Sequence, residues 1–489
     1  MLISLTPDSG KQKLVDEIIR KTKYMKRAVA SKSSYLGKRA IVVGAGLAGL
    51  SAARVLSDYF EEVMILDRDK LPDNGIPRPG VPQSKHPHAL LAGGLKALEN
   101  LLPGFGNELM RAGAERVDPG FDVLNEIPGQ DLCPKTKFGW STYTMSRPLI
   151  ECTLRRQVEH MGNITVRGGC RVLNIVSESN IQAATGIQCQ MLDGSRETLK
   201  SDLIVDASGN GSLTVEFLKS TGRRPPEETS ISVNTRYASA LFERSHIWND
   251  YKVVLTFPNA PEQVRGGLIL PAENNTNQVI LAGKDKDIPP IDGNQFLDYA
   301  RQLPTLTVYN AIKNAKRLTD ITPISFPESR WRHFAQVPDF PRGLLPMGDA
   351  ICRFNPIYGQ GMTVAAQEGK MLSDVLQTLD GDPLATLAPT FLTKAETILA
   401  DPWAMSAIPD FIYPETVGER PPDLEDRLNF LSALSRLTAR DVELYELFIE
   451  IRHLLKPLTL LDDPSIVTRV KEEIADASQG NESLGAHSN

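Results

Sequence analysis

Residues 39–68 read RAIVVGAGLAGLSAARVLSDYFEEVMILDR, and the fold follows from that stretch. The apolar run Ala40 to Val43 is long enough for a buried parallel strand. It ends in Gly44-Ala45-Gly46-Leu47-Ala48-Gly49, a G-x-G-x-x-G. Ala48, Ala52, Val55 and Leu56 then recur at i, i+4, i+7 and i+8, the spacing of one helix face. A second apolar run, Val63 to Leu66, ends at Asp67, 18 residues past Gly49. Strand, glycine turn, helix, strand and acid in this order spell a dinucleotide site. Gly44 permits a tight turn, Gly46 lets the backbone approach a pyrophosphate, and Gly49 lets helix and strand pack closely. The helix start offers unpaired N–H groups to phosphate. Asp67 offers a carboxylate to ribose hydroxyls. The motif alone does not separate FAD from NAD.

A second informative stretch lies near residue 350. Gly343-Leu344-Leu345-Pro346-Met347-Gly348-Asp349-Ala350 is a short apolar strand reaching Gly-Asp. Asn355-Pro356-Ile357-Tyr358-Gly359-Gln360-Gly361-Met362 follows as a Pro/Gly loop before a helix from about Thr363. Asp349 can hold a sugar-alcohol hydroxyl, and the backbone from Gly359 to Met362 can aim N–H groups at a carbonyl. Two such loops some 300 residues apart, at opposite ends of one ligand, suit FAD better than NAD. A mid-chain strand ends in Asp206-Ala207-Ser208-Gly209-Asn210-Gly211-Ser212, which lacks the G-x-G-x-x-G order.

The remaining chain frames these loops. Its 489 residues exceed one ordinary domain. Hydrophobic content of 41% and charged content of 23% are those of a soluble globular protein, and a net charge of −6 argues against general nucleic-acid affinity. Five scattered cysteines without C-x-x-C pairing read as reduced thiols, so a cytoplasmic location is expected. The segmentation expected is a basic extension over 1–38, cofactor-binding parts at 39–117, 145–212 and 330–385, substrate-domain parts at 118–144 and 213–329, a helical region at 386–478 and a disordered tail at 479–489. The extension carries seven basic residues between Lys11 and Arg27, and at most a peripheral membrane contact is expected through residues 11–30. His86 and His88 in His-Pro-His lack a third ligand nearby, so a pocket lining is expected there and no metal. A helix is expected from Ala89, a strand meander over 164–206, a mostly antiparallel sheet over 230–285 and a helical stretch over 294–318. Ser146 reads as the cap of a helix that begins with Arg147. Thr438 with Asp441 reads as a box-like helix start.

Taken in order, these stretches resemble the group A flavoprotein monooxygenases, the p-hydroxybenzoate hydroxylase-like family, over about residues 39–385. Arg78-Pro79-Gly80-Val81-Pro82-Gln83 with His86 and His88, Phe354 to Met362, and Leu268-Ile269-Leu270-Pro271-Ala272-Glu273 are closer to the FAD-dependent epoxidases of polyether biosynthesis. The resemblance implies a Rossmann-like α/β FAD-binding domain of the glutathione-reductase type, an antiparallel-sheet substrate domain and a helical C-terminal region. It implies FAD on Gly44, Gly46, Leu47, Ala48 and Gly49, with Asp67 and Arg68 at the ribose and Gln83, Arg147, Val172 and Asp349 as further contacts. Pro356, Gly359, Gln360, Gly361 and Met362 would border the isoalloxazine. Pro356, Arg236 and Tyr237 would be the catalytic residues, Arg236 and Tyr237 facing the substrate pocket. The implied activity is transfer of one oxygen atom from O2 through a flavin hydroperoxide to an alkene of a polyketide- or terpenoid-like molecule, or to an arene. Electrons would come from NADPH or NADH, directly or through a flavin reductase. The partners implied are O2 and a hydrophobic small molecule. Relatives usually carry Gly-Arg-Gly-Ser where this chain has Gly209-Asn210-Gly211-Ser212. A halogenase of similar fold would carry W-x-W-x-I-P, which Gly139-Trp140-Ser141-Thr142-Tyr143 does not supply. An oxygen-independent prenyl or geranylgeranyl reductase and a flavin-binding sensor are the other readings.

Overall fold

The computed structural model describes residues 35–178, 183–244 and 250–485. The expected helix over the basic N-terminal stretch lies outside them. The first strand, Gly37–Val43, is central in a five-stranded sheet. Its neighbours are Phe60–Asp67 on one side and Leu203–Asp206 on the other, with Ile164–Gly168 and Leu344–Pro346 at the edges. All four pairings are parallel. Near-continuous apolar strands are what a sheet covered on both faces requires. Ala40, Ile41 and Val42 are fully buried. The strand order brings the ends of the first, mid-chain and late strands side by side, so their three loops share one edge.

The stretch expected as a meander is split by this sheet. Ile164–Gly168 and Leu203–Asp206 join the parallel layer, and only Cys170–Val176, Gly186–Met191 and Arg196–Lys200 form an antiparallel meander. Sequence alternation identifies a strand but not its partner.

The second layer is a seven-stranded sheet built on the long strand Glu228–Glu243. Thr276–Lys284 and Thr322–Arg332 pair with it antiparallel. Gly266–Ala272, Val253–Thr256 and Val123–Glu126 extend one side, and Cys352–Arg353 closes the other. The strand Thr322–Arg332 lies beyond the expected span of 230–285. One face of this sheet packs on helices Gly293–Arg301 and Thr307–Ile312 through Phe242, Val279, Phe296 and Val308. The other face meets the cofactor half and the end of helix Pro383–Asp410.

Three local expectations change. The helix expected from Ala89 starts at Ala92, because His88–Leu90 is a strand paired with Thr142–Met145. Asp441, not Thr438, caps the helix Val442–Arg452, its Oδ1 accepting from Leu444 N at 2.9 Å. The last helix, Pro464–Gly485, continues through much of the segment expected as a disordered tail. No helix among the described residues is long and apolar enough to cross a membrane.

Candidate functional site

At the first glycine turn, what a side chain would meet separates the three glycines. Gly44 has φ +107, and a Cβ there would lie 2.3 Å from the Ala207 carbonyl oxygen. A Cβ at Gly49 would lie 1.9 Å from the Gly44 carbonyl oxygen. A Cβ at Gly46 would meet nothing within 4 Å. Two glycines are thus demanded by packing and the third by open space. Helix Leu47–Leu56 starts there with Gly46 as N-cap and no side-chain cap, so its first N–H groups are free for a ligand.

Asp67 ends the second strand in a dense ionic network. Its Oδ2 accepts from Ala45 N at 2.8 Å and from Arg78 Nη1 at 2.7 Å, and its Oδ1 accepts from Asp69 N at 2.9 Å. A carboxylate has about four acceptor positions, so one remains for a ribose hydroxyl. Arg78 also donates to Glu151 and to the Ala45 carbonyl. Glu151 in turn accepts from Arg147 Nε at 2.8 Å. Burial works against the Arg78 charge, but Glu151 and Asp67 outweigh it and raise its pKa. The chain Asp67–Arg78–Glu151–Arg147 ties the glycine turn to the start of helix Arg147–Glu159, which Ser146 caps through Leu149 N. Arg68 is exposed and donates to the Gly80 carbonyl at 2.9 Å. Gln83 lies in the short turn Pro82–Lys85, and half-buried Val172 packs on the cluster behind the parallel sheet.

The late loop meets the first one directly. Gly348 has φ +65, and a Cβ on it would lie 2.8 Å from Ala48 Cβ. Gly348 N donates to Glu368 Oε2 at 2.5 Å. Glu368 is fully buried, its Oε1 has no partner, and burial pushes its carboxyl up to about 8, so it is uncharged at neutral pH. Asp349 accepts no hydrogen bond from the described residues. Burial raises its pKa against the pull of Arg147, Arg353 and Arg330. An acceptor without a protein donor, facing three guanidinium groups, suits a ligand that brings hydroxyls and negative charge. The mid-chain loop is a structural brace. Both oxygens of Asp206 are taken up within the loop by Ser208 and Thr214, and Arg332 Nη1 links the carbonyls of Gly211 and Ala350.

The loop from Asn355 lies under the seven-stranded sheet. Tyr237 OH donates to Asn355 Oδ1 at 2.7 Å. Asn355 Nδ2 and Tyr358 OH both donate to Asp410, at 3.2 Å and 2.9 Å. Pro356 is exposed, and Gly359 has φ +70 with Leu91 nearby. Gly361 begins the helix Gly361–Leu376 with nothing within 4 Å of a built Cβ, Gln360 precedes it as N-cap, and Met362 packs half-buried on the main core. Arg236 and Tyr237 were both expected to face the pocket. Adjacent strand residues point to opposite faces, so Arg236 turns away and donates to Ser325 Oγ at 2.6 Å. Ser239 shares the Tyr237 face, and its hydroxyl lies 2.7 Å from His86 Nδ1. His86 Nε2 is buried and unpartnered there. Burial lowers its pKa to about 4, which leaves it neutral.

Arg78, Arg330, Arg353, Glu368 and Asp410 were not nominated from sequence. Arg78 opens the Arg78-Pro79-Gly80-Val81-Pro82-Gln83 stretch. The other four carry no local signal, because their roles arise from tertiary proximity. Away from the site, Cys170, Cys189 and Glu197 place ligating atoms within 4.8 Å of one another. Glu197 is paired with Arg167 at 2.8 Å, and burial pushes the Cys189 thiol up to about 12.

The parallel sheet, two glycine turns in contact, the strand-end acid Asp67 and the acceptor at Asp349 define a dinucleotide-binding α/β protein with a sheet-roofed second half. The chain belongs to the FAD binding domain family, whose match spans residues 38–382. Among curated proteins it is 30% identical over 397 residues to Protein Rv3254 of Mycobacterium tuberculosis, covering 78% of this chain and 81% of that one. Its fold is that of a flavoprotein/dehydrogenase from Cytophaga hutchinsonii, with TM-score 0.65 at 14% identity, covering 91% of this chain and all of that one. The myxobacterial chondrochloren halogenase aligns with TM-score 0.57 at 16% identity, covering 76% and 80% of the two chains. The tetrameric form of 2-methyl-3-hydroxypyridine-5-carboxylic acid oxygenase aligns at 0.53 and 17%, covering 76% and 90%.

Proposed function

We propose that this chain is an FAD-dependent monooxygenase that transfers one oxygen atom from O2 to a hydrophobic small molecule, epoxidising an alkene of a polyketide- or terpenoid-like compound. The observation that carries the reading is the 2.7 Å hydrogen bond between Tyr237 OH and Asn355 Oδ1. It sets the loop that would border the isoalloxazine directly beneath the antiparallel roof. When bound, FAD supplies the redox chemistry, taking electrons from NADPH or NADH and activating oxygen.

The chain's own residues bind, orient and shield. The backbone at Gly46 and the helix start behind it take the pyrophosphate, and Asp67 takes a ribose hydroxyl. Asp349 takes a ribityl hydroxyl, and Arg147 with Arg330 and Arg353 balances the phosphate charge. Arg68 and Gln83 would stand beside the same path, whereas Val172, packed behind the parallel sheet, is not on it. The N–H groups at Gly361 and Met362 would hold the edge of the flavin, with Pro356, Gly359 and Gln360 beside them. Roof residues Tyr237, Ala282 and Ile324, cross-strand neighbours on one face, exclude water from the reacting side. The Asp410 carboxylate accepts from the Tyr358 hydroxyl, 2.9 Å away, and so holds the loop under the roof.

Epoxidation asks for no strong protein base, whereas hydroxylation of an arene gains from one. The aromatic reading is kept because Asp410 is a buried carboxylate beside the loop. The halogenase reading has a fold likeness behind it, but the chain lacks W-x-W-x-I-P. The test is to load the purified chain with FAD, add NADPH or NADH without air, and then admit isotope-labelled O2 with candidate alkenes and phenols. Bleaching of the flavin followed by label in the product is expected. Bleaching that needs an added flavin reductase would move the electron donor to a partner. Product formed equally without oxygen, or only with halide, overturns the proposal.

A further inference from the structure

The buried carboxylate of Asp410 is costly where it stands. It is the last residue of helix Pro383–Asp410, so it adds negative charge to the negative end of the helix dipole. Its relative exposure is only 7%, and among the described residues no Lys, Arg or His forms an ion pair with it. Lys284 Nζ stops at Thr416 Oγ1, 2.7 Å away, and Thr416 Oγ1 donates to the Asp410 backbone carbonyl rather than to its carboxylate. What the carboxylate does contact is the loop. It accepts from Asn355 Nδ2 and from Tyr358 OH, and Asn355 is itself held by Tyr237. A sheet strand, a helix end and the loop are joined through this one acid.

We propose that Asp410 positions the Asn355–Gln360 loop for the flavin, and that the loop is held tightest when this carboxylate is ionised. The inference rests on the proposed placement of the isoalloxazine at that loop. An ionised carboxylate offers acceptors to both donors. Protonation converts one oxygen into a donor facing donors, and the loop loosens.

Titratable groups reach it from four elements. Tyr237 comes from strand Glu228–Glu243, Lys284 from strand Thr276–Lys284, Tyr358 from the loop and Tyr413 from the turn after the helix. Arg452 faces Tyr358 from helix Val442–Arg452, and Asp285, Glu415 and Arg420 face Lys284. Burial pushes the Asp410 carboxyl up to about 6, against Asn355, Tyr358 and Lys284, and pushes the three tyrosine hydroxyls above their ordinary range.

The experiment is to measure the FAD dissociation constant and the fluorescence of bound flavin between roughly pH 5 and 8. The wild type should lose about tenfold in affinity as pH falls through the Asp410 transition, with a parallel fluorescence change. Asp410→Asn should show a flat profile at the weaker affinity. Tyr358→Phe should keep the transition but shift its midpoint up by about one pH unit, because the ionised form loses a hydrogen bond. A flat wild-type profile, a transition that persists in Asp410→Asn, or an unmoved midpoint in Tyr358→Phe overturns the proposal. If Asp410→Asn does not fold, the wild-type profile and the Tyr358→Phe midpoint decide. A chain that binds no FAD at any pH sinks the proposed function instead, whereas tight but pH-independent binding sinks only this inference.

Discussion

Gly348 and Ala48, three hundred residues apart in sequence, stand so close that a Cβ on the glycine would lie 2.8 Å from the alanine Cβ. Gly348 also has φ +65, where a side chain costs about 1–2 kcal/mol. Gly348→Ala should therefore push the late loop off the first glycine turn and carry Asp349 with it. The expected outcome is a melting temperature lower by several degrees and FAD affinity reduced tenfold or more. Calorimetry and flavin titration read the two effects separately.

Gly46 and Gly49 should fail in opposite ways. Gly46 has φ −84 and ψ −177, ordinary extended backbone, with open space beside it. Gly46→Val is expected to fold with an unchanged melting temperature and to remain colourless after incubation with FAD. Gly49→Ala forces a carbon to 1.9 Å from a backbone oxygen and should lower the melting temperature of the FAD-free protein. A yellow Gly46→Val protein would show that the pyrophosphate does not pass there.

Removing Arg78 strands three acids. Asp67, Asp69 and Glu151 all lie within ion-pair distance of its guanidinium and are buried with it. Arg78→Met should cost about 3–5 kcal/mol, the usual penalty for uncompensated buried charge. Arg78→Lys should recover only part, because one ammonium cannot span both Asp67 and Glu151. Urea unfolding of the FAD-free variants measures both.

Glu368 gives a pH prediction with a definite sign. Its carboxyl is raised from 4.5 to about 8 in the fold. The folded state therefore holds a proton that the unfolded state releases. The stability this supplies is complete below the unfolded value and is lost as pH rises through about 8. Glu368→Gln keeps an acceptor for Gly348 N and cannot ionise. Its melting temperature should decline less than that of the wild type between neutral and mildly alkaline pH. Equal declines would place the titration elsewhere.

Asp349→Ala should weaken FAD retention while leaving the fold intact, since the carboxylate makes no hydrogen bond with the described residues. A fully yellow variant that matches wild-type affinity would count against its place on the ligand.

The cofactor half was legible because its demands are local. Gly44 and Gly49 are fixed by backbone contacts within one turn, and Asp67 by the end of the next strand. The helix start at Arg147 was legible through its cap, Ser146. The roof was half legible: its alternation was visible, but which of Arg236 and Tyr237 faces inward depends on register, and register depends on partner strands. Glu368 and Asp410 were not legible. An acid in a helix reads as solvated surface until its neighbours are known.

The C-terminal helices reach back onto the elements that frame the cleft. Gly93 N donates to the His453 carbonyl, Ala92 N to His453 Nδ1, and Gln367 Nε2 to the Leu454 carbonyl. The acceptors His453 and Leu454, like Asp410, lie beyond residue 382, where the family match ends. The consequence concerns biosynthesis. The contacts around Leu454 can form only after that segment has cleared the ribosome, so coenzyme loading is expected late in the life of each molecule.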